Sequence, residues 1–235
     1  MIAVDLHLHT CYSYDCATSL NDVVTGAQRA GLDCLAVTDH NTIAGALKLR
    51  DAGEFRVIVG EEIGTADGEI IGLFISELVP PGLSALETID RVKDQGGLVC
   101  IPHPFGRRYF SPSTELGANE DGRIRLSKAV RRTSRLLTEE VLERVDMLEA
   151  INSRTVFKST WTAIGRLANL YGLPVSAGSD AHTVREIGRS RVLMPDFTDA
   201  RSFLEALRQG QPSGIASSLF IHFGSIYARI SRKPC

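Results

Sequence analysis

The chain has 235 residues, of which 43% are hydrophobic and 23% are charged, and this composition excludes disordered and collagen-like proteins. With 26 basic and 28 acidic residues the formal net charge is −2, so the overall charge provides no attraction to nucleic acid. No segment approaches the ~18 apolar residues of a membrane span, and the N-terminus does not resemble a signal peptide. Five cysteines without a C-x-x-C pair favour free thiols in a reducing compartment. We therefore expect a cytoplasmic protein without a membrane partner.

Short apolar segments alternate with amphipathic segments along most of the chain. The apolar segments predict strands near residues 2–8, 33–38, 55–59, 69–75, 98–101, 146–151 and 174–178. Helices are predicted between most of them: Ser19 is a good N-cap for a helix that ends before Gly31, and Thr138 precedes another helix start. This alternation favours a parallel sheet, and about seven such units suggest that the sheet closes into a barrel. An open doubly wound sheet is the alternative.

The segment from about residue 104 to 137 interrupts this alternation. It is rich in Arg, Ser and Gly, and loops of this length are usually lids, binding loops or partly disordered segments. The sequence contains no internal repeat and no segment typical of an interdomain linker. We predict a single domain over residues 1–235 with one long loop at about 104–137.

Polar side chains are concentrated where the predicted strands meet their following loops. His7 and His9 end the first strand, and residues of similar chemistry end or follow the later strands: Asp39-His40, Glu61-Glu62, His103, Asn152, Asp180 and His182. Five of the six histidines occupy such positions. Because parallel barrels build their active sites on this face, we expect these side chains to converge there.

The spacing of these residues indicates metal binding. In His7-Leu8-His9 the side chains at i and i+2 of an extended strand point to the same face, here inward, while Leu8 packs outward. Asp180-Ala181-His182 repeats this geometry, and mixed nitrogen and oxygen ligands suit zinc, manganese or iron. Burying so many polar groups without ions or partners would be costly. One tetrahedral ion takes four ligands, so two or three ions that share Glu62 or a water are expected from the eight candidates His7, His9, Asp15, His40, Glu62, His103, Asp180 and His182.

These residues also carry a family resemblance. The chain resembles the PHP (polymerase and histidinol phosphatase) family in successive motifs that occur in the family's order. They are Asp5-Leu6-His7-Leu8-His9-Thr10, Val37-Thr38-Asp39-His40, the Glu62 segment, Pro102-His103-Pro104 and Gly178-Ser179-Asp180-Ala181-His182. The resemblance runs from the first residues to about residue 194.

The resemblance implies an α/β fold, a distorted seven-stranded (β/α)7 barrel with up to three divalent ions. Matched by position, it assigns metal ligation to the same eight residues. Tyr14 makes the stretch from His9 to Asp15 one residue longer than in the shortest family version. A clearer departure is Glu69, because many relatives place another histidine ligand in that strand. Glu69 could ligate through oxygen, which adds it to the candidate ligands, or it could be an exposed strand carboxylate.

The chemistry that the resemblance implies is hydrolysis of a phosphate ester by a metal-activated water. His40 or His182 could protonate the leaving group if free of metal, and together with Asp180 they form the candidate catalytic set. Because the guanidinium group matches phosphate oxygens, Arg154 is the first candidate for substrate binding, with Asn152 beside it and Arg185 downstream.

A small phosphomonoester or nucleotide is the expected substrate. Aromatic side chains that could stack on a single strand are scarce near the basic residues, and only Tyr109 and Phe110 lie next to Arg107-Arg108. A PHP-family nuclease that acts on short oligonucleotides is the main alternative. A non-catalytic metal-binding module is another, although such relatives have generally lost ligands. An amidohydrolase would need a lysine at a mid-barrel strand end, and the lysines that could serve fall in predicted helices.

Overall fold

The computed structural model describes residues 1–105, 116–118, 124–126, 135–155 and 157–216. Its strands are β1 (Ile2–Leu8), β2 (Cys34–Val37), β3 (Val57–Gly64), β4 (Glu69–Leu73), β5 (Leu98–Ile101), β6 (Leu116–Ala118), β7 (Ile124–Leu126), β8 (Met147–Asn152), β9 (Val175–Gly178), β10 (Ser190–Met194) and β11 (Gln211–Gly214). Its helices are α1 (Leu20–Arg29), α2 (Ala44–Ala52), α3 (Ala85–Asp94), α4 (Glu139–Leu142), α5 (Lys158–Leu170) and α6 (Ala200–Arg208).

One large sheet follows the order β11-β10-β1-β2-β3-β4-β5-β8-β9. The pairs β1–β2, β2–β3, β5–β8 and β8–β9 are parallel, whereas β4 runs antiparallel to β3 and β5, and β10 runs antiparallel to β1 and β11. The end of β9 returns to β1, because Leu8 bridges to Ala181 and the Asp180 N–H donates to the His7 carbonyl at 2.7 Å. The sheet is therefore a nearly closed barrel, and the predicted barrel fold is confirmed.

All seven predicted strands are present, but the expectation of an all-parallel sheet is wrong. A short connection joins β3 to β4 instead of a helix, so the two strands form a hairpin whose pairing extends to Gly64 and Glu69. This pairing lengthens β3, and Glu61 and Glu62 therefore lie inside the strand rather than at its end. The β6–β7 pair, β10 and β11 are additional strands. They are short and mix polar with apolar residues, which leaves little signal in the sequence.

Local capping interactions explain why several helix starts could be predicted. The Ser19 hydroxyl accepts the Asp22 N–H at 3.2 Å at the start of α1, and Gly31, just beyond its end, has a φ of 66°. The Thr138 hydroxyl accepts the Val141 N–H at 3.3 Å at the start of α4. Such caps typically stabilise a helix by about 1 kcal/mol and have a recognisable sequence.

The apolar core has one layer between the barrel and the helices and another inside the barrel. Leu8 packs in the outer layer with Val23 and Ala27 of α1. The inner layer contains Val4 and Met147. Leu8 therefore faces outward as predicted, which leaves the inner side of β1 to the histidines on either side of it.

Most of the predicted loop at residues 104–137 lies outside the described residues, and so do Arg107, Arg108, Tyr109 and Phe110. The prediction of a single domain over residues 1–235 stays a prediction, since residues 217–235 also lie outside them.

The cysteines differ from expectation at one position. Cys16, Cys34 and Cys100 are free and buried, whereas Cys11 is disulfide-bonded, so the prediction of free thiols is wrong for Cys11. Among the described residues, no helix has both the length and the hydropathy that a membrane crossing requires.

Candidate metal centre

The side chains predicted as metal ligands lie together at one end of the barrel. Their imidazole nitrogens and carboxylate oxygens form overlapping groups in which the atoms lie within 4.8 Å of one another. These groups are His9/Asp15/His40/His182, His7/Glu62/His103, His7/His9/Asp180 and His40/Glu62/Glu69. All members are buried except Glu69, which is partly exposed. The structure thus brings together every residue of the predicted set, and their role as ligands stays a prediction.

His7 and His9 lie at the centre of this arrangement, with Glu62 and Asp180 each close to both. His7 Nε2 and His9 Nε2 are 3.2 Å apart, and Glu62 Oε2 lies 3.3 Å from His7 Nε2 and 3.2 Å from His9 Nε2. Asp180 Oδ1 lies 3.9 Å and 3.4 Å from the same two nitrogens. Ligands of one tetrahedral ion, with bonds of ~2.1 Å, are about 3.4 Å apart. The spacing of the His7, His9 and Asp180 donor atoms, which form one mutual group, therefore fits one divalent ion, and Glu62 lies beside this group.

Further donor atoms lie on either side of this set. Asp15 Oδ2 lies 3.1 Å from His182 Nε2 and 3.6 Å from His40 Nε2. Glu62 Oε2 is also 3.2 Å from His40 Nδ1, and Glu62 Oε1 is 3.1 Å from His103 Nε2. Glu62 therefore stands between neighbouring donor sets, where one carboxylate could be shared by two ions.

Glu69, which replaces the expected histidine, also points towards these groups. Its Oε1 lies 4.0 Å from His40 Nδ1, and its Oε2 lies 3.8 Å from His103 Nε2. The Glu69 side chain is 38% exposed, whereas those of His40 and His103 are 5% and 8% exposed. Glu69 is therefore the outermost candidate ligand and marks the mouth of the centre.

Irregular backbone carries several of these side chains into the barrel. His103 and Asp180 have φ values of 28° and 51°, in the left-handed region that residues other than glycine rarely adopt. Gly178 permits a close approach of β9 to β1, because a Cβ there would overlap His7 Cβ and lie 2.7 Å from Glu149 Oε1. The strand ends are therefore shaped around the cluster rather than continuing as regular sheet.

Mutual electrostatics set the protonation of the cluster. Burial raises the pKa of Glu62, but the charges of His7 and His40 outweigh this effect and hold the pKa well below its usual range. Burial lowers the pKa of His9, but hydrogen bonds with Asp180 and Glu62 raise it overall to about 9. Burial and the charge of His9 lower the pKa of His182 to about 4. Ionised Glu62 and neutral His182 are the forms that bind ions, whereas an ion must displace a proton from His9.

Comparison with known families identifies the chain. The PHP domain model matches residues 5–168, and the PHP-associated model matches residues 163–212. The chain belongs to the PHP family. The first match contains His7, His40 and His103, and the second contains Asp180 and His182.

Two similar proteins cover most of this PHP chain. An uncharacterised protein of Methanocaldococcus jannaschii is 29% identical over 212 residues, which span 87% of this chain and 78% of that protein. The probable histidinol-phosphatase of Thermotoga maritima is 26% identical over 206 residues, which span 79% of this chain and 87% of that protein.

Two solved structures share the fold at lower identity. A two-domain protein of Bacteroides vulgatus, which contains a predicted PHP-like metal-dependent phosphoesterase, matches with a TM-score of 0.66 and 17% identity over 96% of this chain and 69% of its own. A lesion-specific endonuclease of Pyrococcus furiosus matches with a TM-score of 0.59 and 15% identity over 90% of this chain and 57% of its own. PHP-like folds thus occur in proteins described as phosphoesterases and as nucleases.

Three buried carboxylates next to the candidate ligands, those of Asp5, Asp39 and Glu149, are absent from the predicted site residues. Asp5 accepts the Ser179 N–H at 2.9 Å, and Asp39 accepts the Thr10 N–H at 2.6 Å. Glu149 lies 3.0 Å from His7 Nδ1. The available signal is a charged residue within an otherwise apolar strand, as in Met147–Asn152, but the sequence does not show which partner it contacts.

The predicted substrate-binding residues have different environments. Arg154 is 1% exposed, and its Nε lies 3.6 Å from Glu186 Oε1. Asn152 is buried, and its Nδ2 donates to Asp180 Oδ2 at 3.3 Å. Arg185 is exposed. Their contact with a substrate stays a prediction, and exposure favours Arg185 over Arg154 for direct contact.

Proposed function

We propose that this PHP protein is a metal-dependent phosphoesterase that hydrolyses a small phosphomonoester or a nucleotide, using two or three zinc, manganese or iron ions. The observation that carries the proposal is the convergence of His7, His9 and Asp180 at the spacing of ligands around one ion, with Glu62 close to both histidines. Further donors on both sides of Glu62 provide for additional ions. The PHP family match supports a phosphoesterase with such a centre.

The charge of the centre supports a phosphate substrate. Its candidate ligands include four carboxylates, those of Asp15, Glu62, Glu69 and Asp180. Three divalent ions would carry two more positive charges than these carboxylates carry negative charges. A phosphate monoester carries about two negative charges near neutral pH, so a centre with three ions would balance it.

The exposure of the cluster supports a compact substrate. Glu69 is the most exposed candidate ligand, and His40 and His103 beside it are mostly buried. Tyr14, 42% exposed, stacks on the His40 ring with centroids 4.9 Å apart. We infer that a phosphate group reaches the centre past Glu69 and Tyr14, the two more exposed side chains beside the buried His40.

The residues of this chain would act in distinct ways. Divalent ions held there would lower the pKa of a water, orient the phosphoryl group and neutralise the leaving oxygen. Since the pKa of His182 is about 4, its imidazole is neutral and serves as a ligand rather than as an acid. His40, at the mouth, is the better candidate to protonate the leaving group, and Asp180 would orient the attacking water. Arg185 would contact the phosphate, and Arg154 would support the site through Glu186.

A PHP nuclease that acts on short oligonucleotides is the second candidate function, and the shared fold of the Pyrococcus furiosus endonuclease favours it. The similarity to a probable histidinol-phosphatase favours a small substrate instead. A non-catalytic metal-binding module is the third candidate, and the convergence of all the predicted ligands disfavours it.

A substrate screen with matched controls tests this proposal. The manganese-loaded protein should release phosphate from at least one member of a panel of phosphorylated metabolites and nucleotides. His9→Ala protein, prepared in the same way, should not. Cleavage of short oligonucleotides without action on any monoester would move the assignment to the nuclease. Inactivity towards the whole panel, with ions bound, would favour the non-catalytic module.

A further inference from the structure

Glu149 of β8 contacts three parts of the centre with one carboxylate. Its Oε1 lies 3.0 Å from His7 Nδ1. Its Oε2 accepts the backbone N–H of His103 at 2.8 Å and the Asn152 Nδ2–H at 2.9 Å. Glu149 is 1% exposed, so these contacts take place away from bulk solvent. A single buried side chain thus links β1, the loop after β5 and the end of β8.

The hydrogen-bond pattern determines where His7 carries its proton. The His103 N–H and the Asn152 amide can only donate, so Oε2 acts as an acceptor twice. Imidazole is the stronger base, with a reference pKa of about 6.5 against about 4.3 for a glutamic acid, so the shared proton belongs on His7 Nδ1. Once an ion displaces the proton on Nε2, an imidazole that stays protonated on Nδ1 presents its Nε2 lone pair to that ion. That nitrogen faces Glu62 Oε2 at 3.3 Å.

We propose that Glu149 is a positioning residue that fixes the His7 ring and keeps its proton on Nδ1, so that Nε2 presents a lone pair to a divalent ion. This inference rests on the metal-ligand role of His7 in the proposed function. A carboxylate that orients a ligating histidine commonly changes metal affinity by about 10–100-fold when it is removed.

The local backbone is built around this contact. The pairing of β8 with β9 shifts register between Glu149 and Ile151, which lets Glu149 and Asn152 face the same side although three positions separate them. Gly178 of β9 leaves room for the contact, because a Cβ there would lie 2.7 Å from Glu149 Oε1. The register shift and the missing side chain at Gly178 together allow Glu149 to contact His7.

Glu149→Gln tests the proposal because it keeps the shape of the side chain and replaces one acceptor oxygen with an NH2 donor. The glutamine oxygen can still accept the His103 and Asn152 groups. Its NH2 group then faces His7 Nδ1, which must become an acceptor, and the His7 proton moves to Nε2. We expect zinc affinity, measured by competition with a chelator, to fall about 10–100-fold while circular dichroism is unchanged.

Glu61→Gln is the matched control. Glu61 is also a fully buried glutamate, but its Oε2 accepts the Val79 N–H at 3.0 Å on the opposite face of β3 from Glu62. Its zinc affinity should equal that of the unaltered protein. Equal losses in both variants would show that any buried Glu→Gln change weakens the centre and would overturn the specific role of Glu149.

Nitrogen NMR of the zinc-loaded protein, labelled on its six histidines, provides a readout independent of activity and of the variant's folding. In the unaltered protein His7 should be protonated on Nδ1 and metal-bound through Nε2. Metal bound through Nδ1, or unchanged zinc affinity in Glu149→Gln, would overturn the inference and leave the phosphoesterase proposal intact. Failure of the unaltered protein to bind zinc, manganese or iron would overturn both.

Discussion

At one end of the barrel, imidazoles and carboxylates form overlapping groups whose donor atoms lie within 4.8 Å of one another, whereas at the other end three phenylalanine rings pack edge to face. Phe74 and Phe197 follow β4 and β10, which run opposite to β1 and therefore end where β1 begins. Phe203 of α6 packs against both, with centroids 5.2 Å and 5.0 Å away. The same barrel thus encloses a polar end and an apolar end.

The apolar end of the barrel contributes mainly to stability, whereas the polar end carries the groups proposed for function. The apolar end gains free energy from burial of hydrocarbon and needs no further partner. At the polar end, burial opposes the charged groups. The charges of His7 and His40 hold the pKa of Glu62 low, and hydrogen bonds with Asp180 and Glu62 raise the pKa of His9. Such a cluster is stabilised most effectively by cations, so changes at the two ends should have different consequences.

The largest expected effect is the removal of metal, which should act on the polar end alone. Chelation should abolish phosphate-ester hydrolysis completely, and manganese should restore it. Metal analysis of the purified protein should find two or three equivalents of zinc, manganese or iron, because the donor groups exceed the capacity of one ion. Full activity in a preparation shown to be free of metal would contradict the distinction between the two ends.

Phe203→Ala is the control at the apolar end. Phe203 is fully buried, and its truncation should lower the free energy of unfolding by about 3–5 kcal/mol. The ion content and the activity of the folded fraction should not change. A loss of ions in this variant would show that the two ends are coupled.

The next largest effect separates the two faces of β1. His9→Ala or Asp180→Ala should remove an ion and lower kcat by orders of magnitude, because each contributes an atom to the same donor set. The circular dichroism spectrum should be nearly unchanged. Leu8→Ala, on the outer face, should instead cost about 2–5 kcal/mol of stability and retain the ions. The reverse result would show that the strand register is wrong.

The sequence predicts the parallel part of the barrel better than the antiparallel part. Segments such as Leu98–Ile101 are short and apolar, and His103 follows two residues after this one, which is a strong signal. The direction of β4 is not visible in its composition, because the short connection from Gly64 to Glu69 decides it. The disulfide of Cys11 is also not visible, since it depends on the three-dimensional path of the chain.

The sequence identifies the candidate metal ligands more readily than the residues that position them. His7 and His9 form a spaced pair at the end of β1, so strand geometry predicts that they converge. Asp180 and His182 have the same spacing, but they follow β9 on irregular backbone with an Asp180 φ of 51°. Glu149 occurs singly, and its contact with His7 depends on the register shift in β8. Residues that act directly therefore form local patterns, whereas residues that position them depend on contacts between distant strands.

A smaller effect is expected at Glu69, the outermost candidate ligand. Glu69→Ala should cost one bound ion, because the carboxylate lies about as close to His40 and His103 as a shared site requires. Glu69→His should retain activity and shift metal preference towards zinc, since imidazole is the softer donor. Metal content measured by mass spectrometry checks both variants. An unchanged ion count in Glu69→Ala would show that this residue is only a strand carboxylate.

The pH dependence of metal uptake should follow from His9. Its pKa is raised to about 9, so His9 holds a proton below this pH, and an incoming ion must displace it. Metal affinity should therefore rise with pH until about 9 and then level off. Calorimetry in two buffers of different ionisation enthalpy should detect protons released at neutral pH from His9 and from His7, whose pKa the neighbouring carboxylates Glu149 and Glu62 also raise well above its usual value. Affinity that is independent of pH would contradict the protonated state of His9.

The arginines should have weaker and distinct effects. Arg185→Ala should raise KM, because an exposed guanidinium can contact the phosphate directly. Arg154→Ala should lower kcat and stability, because it removes the buried partner of Glu186. Neither variant should lose metal. Steady-state kinetics with metal analysis of each variant separates these outcomes, and a pure KM effect of Arg154→Ala would instead place that guanidinium on the substrate.

The smallest expected effect is that of salt on the rate. A compact ester that contacts one or two basic side chains releases few ions on binding, so kcat/KM should change only weakly between ~50 and ~200 mM salt. A nuclease that binds several phosphates should lose affinity steeply over the same range, because each neutralised phosphate contributes to the slope. The formal net charge of −2 gives no general attraction that could hide this difference. Rates measured at several salt concentrations on a monoester and on an oligonucleotide therefore distinguish the two functions. A steep slope on the oligonucleotide, with no turnover of the monoester, would identify the mouth beside Glu69 as an entrance for a nucleic acid end.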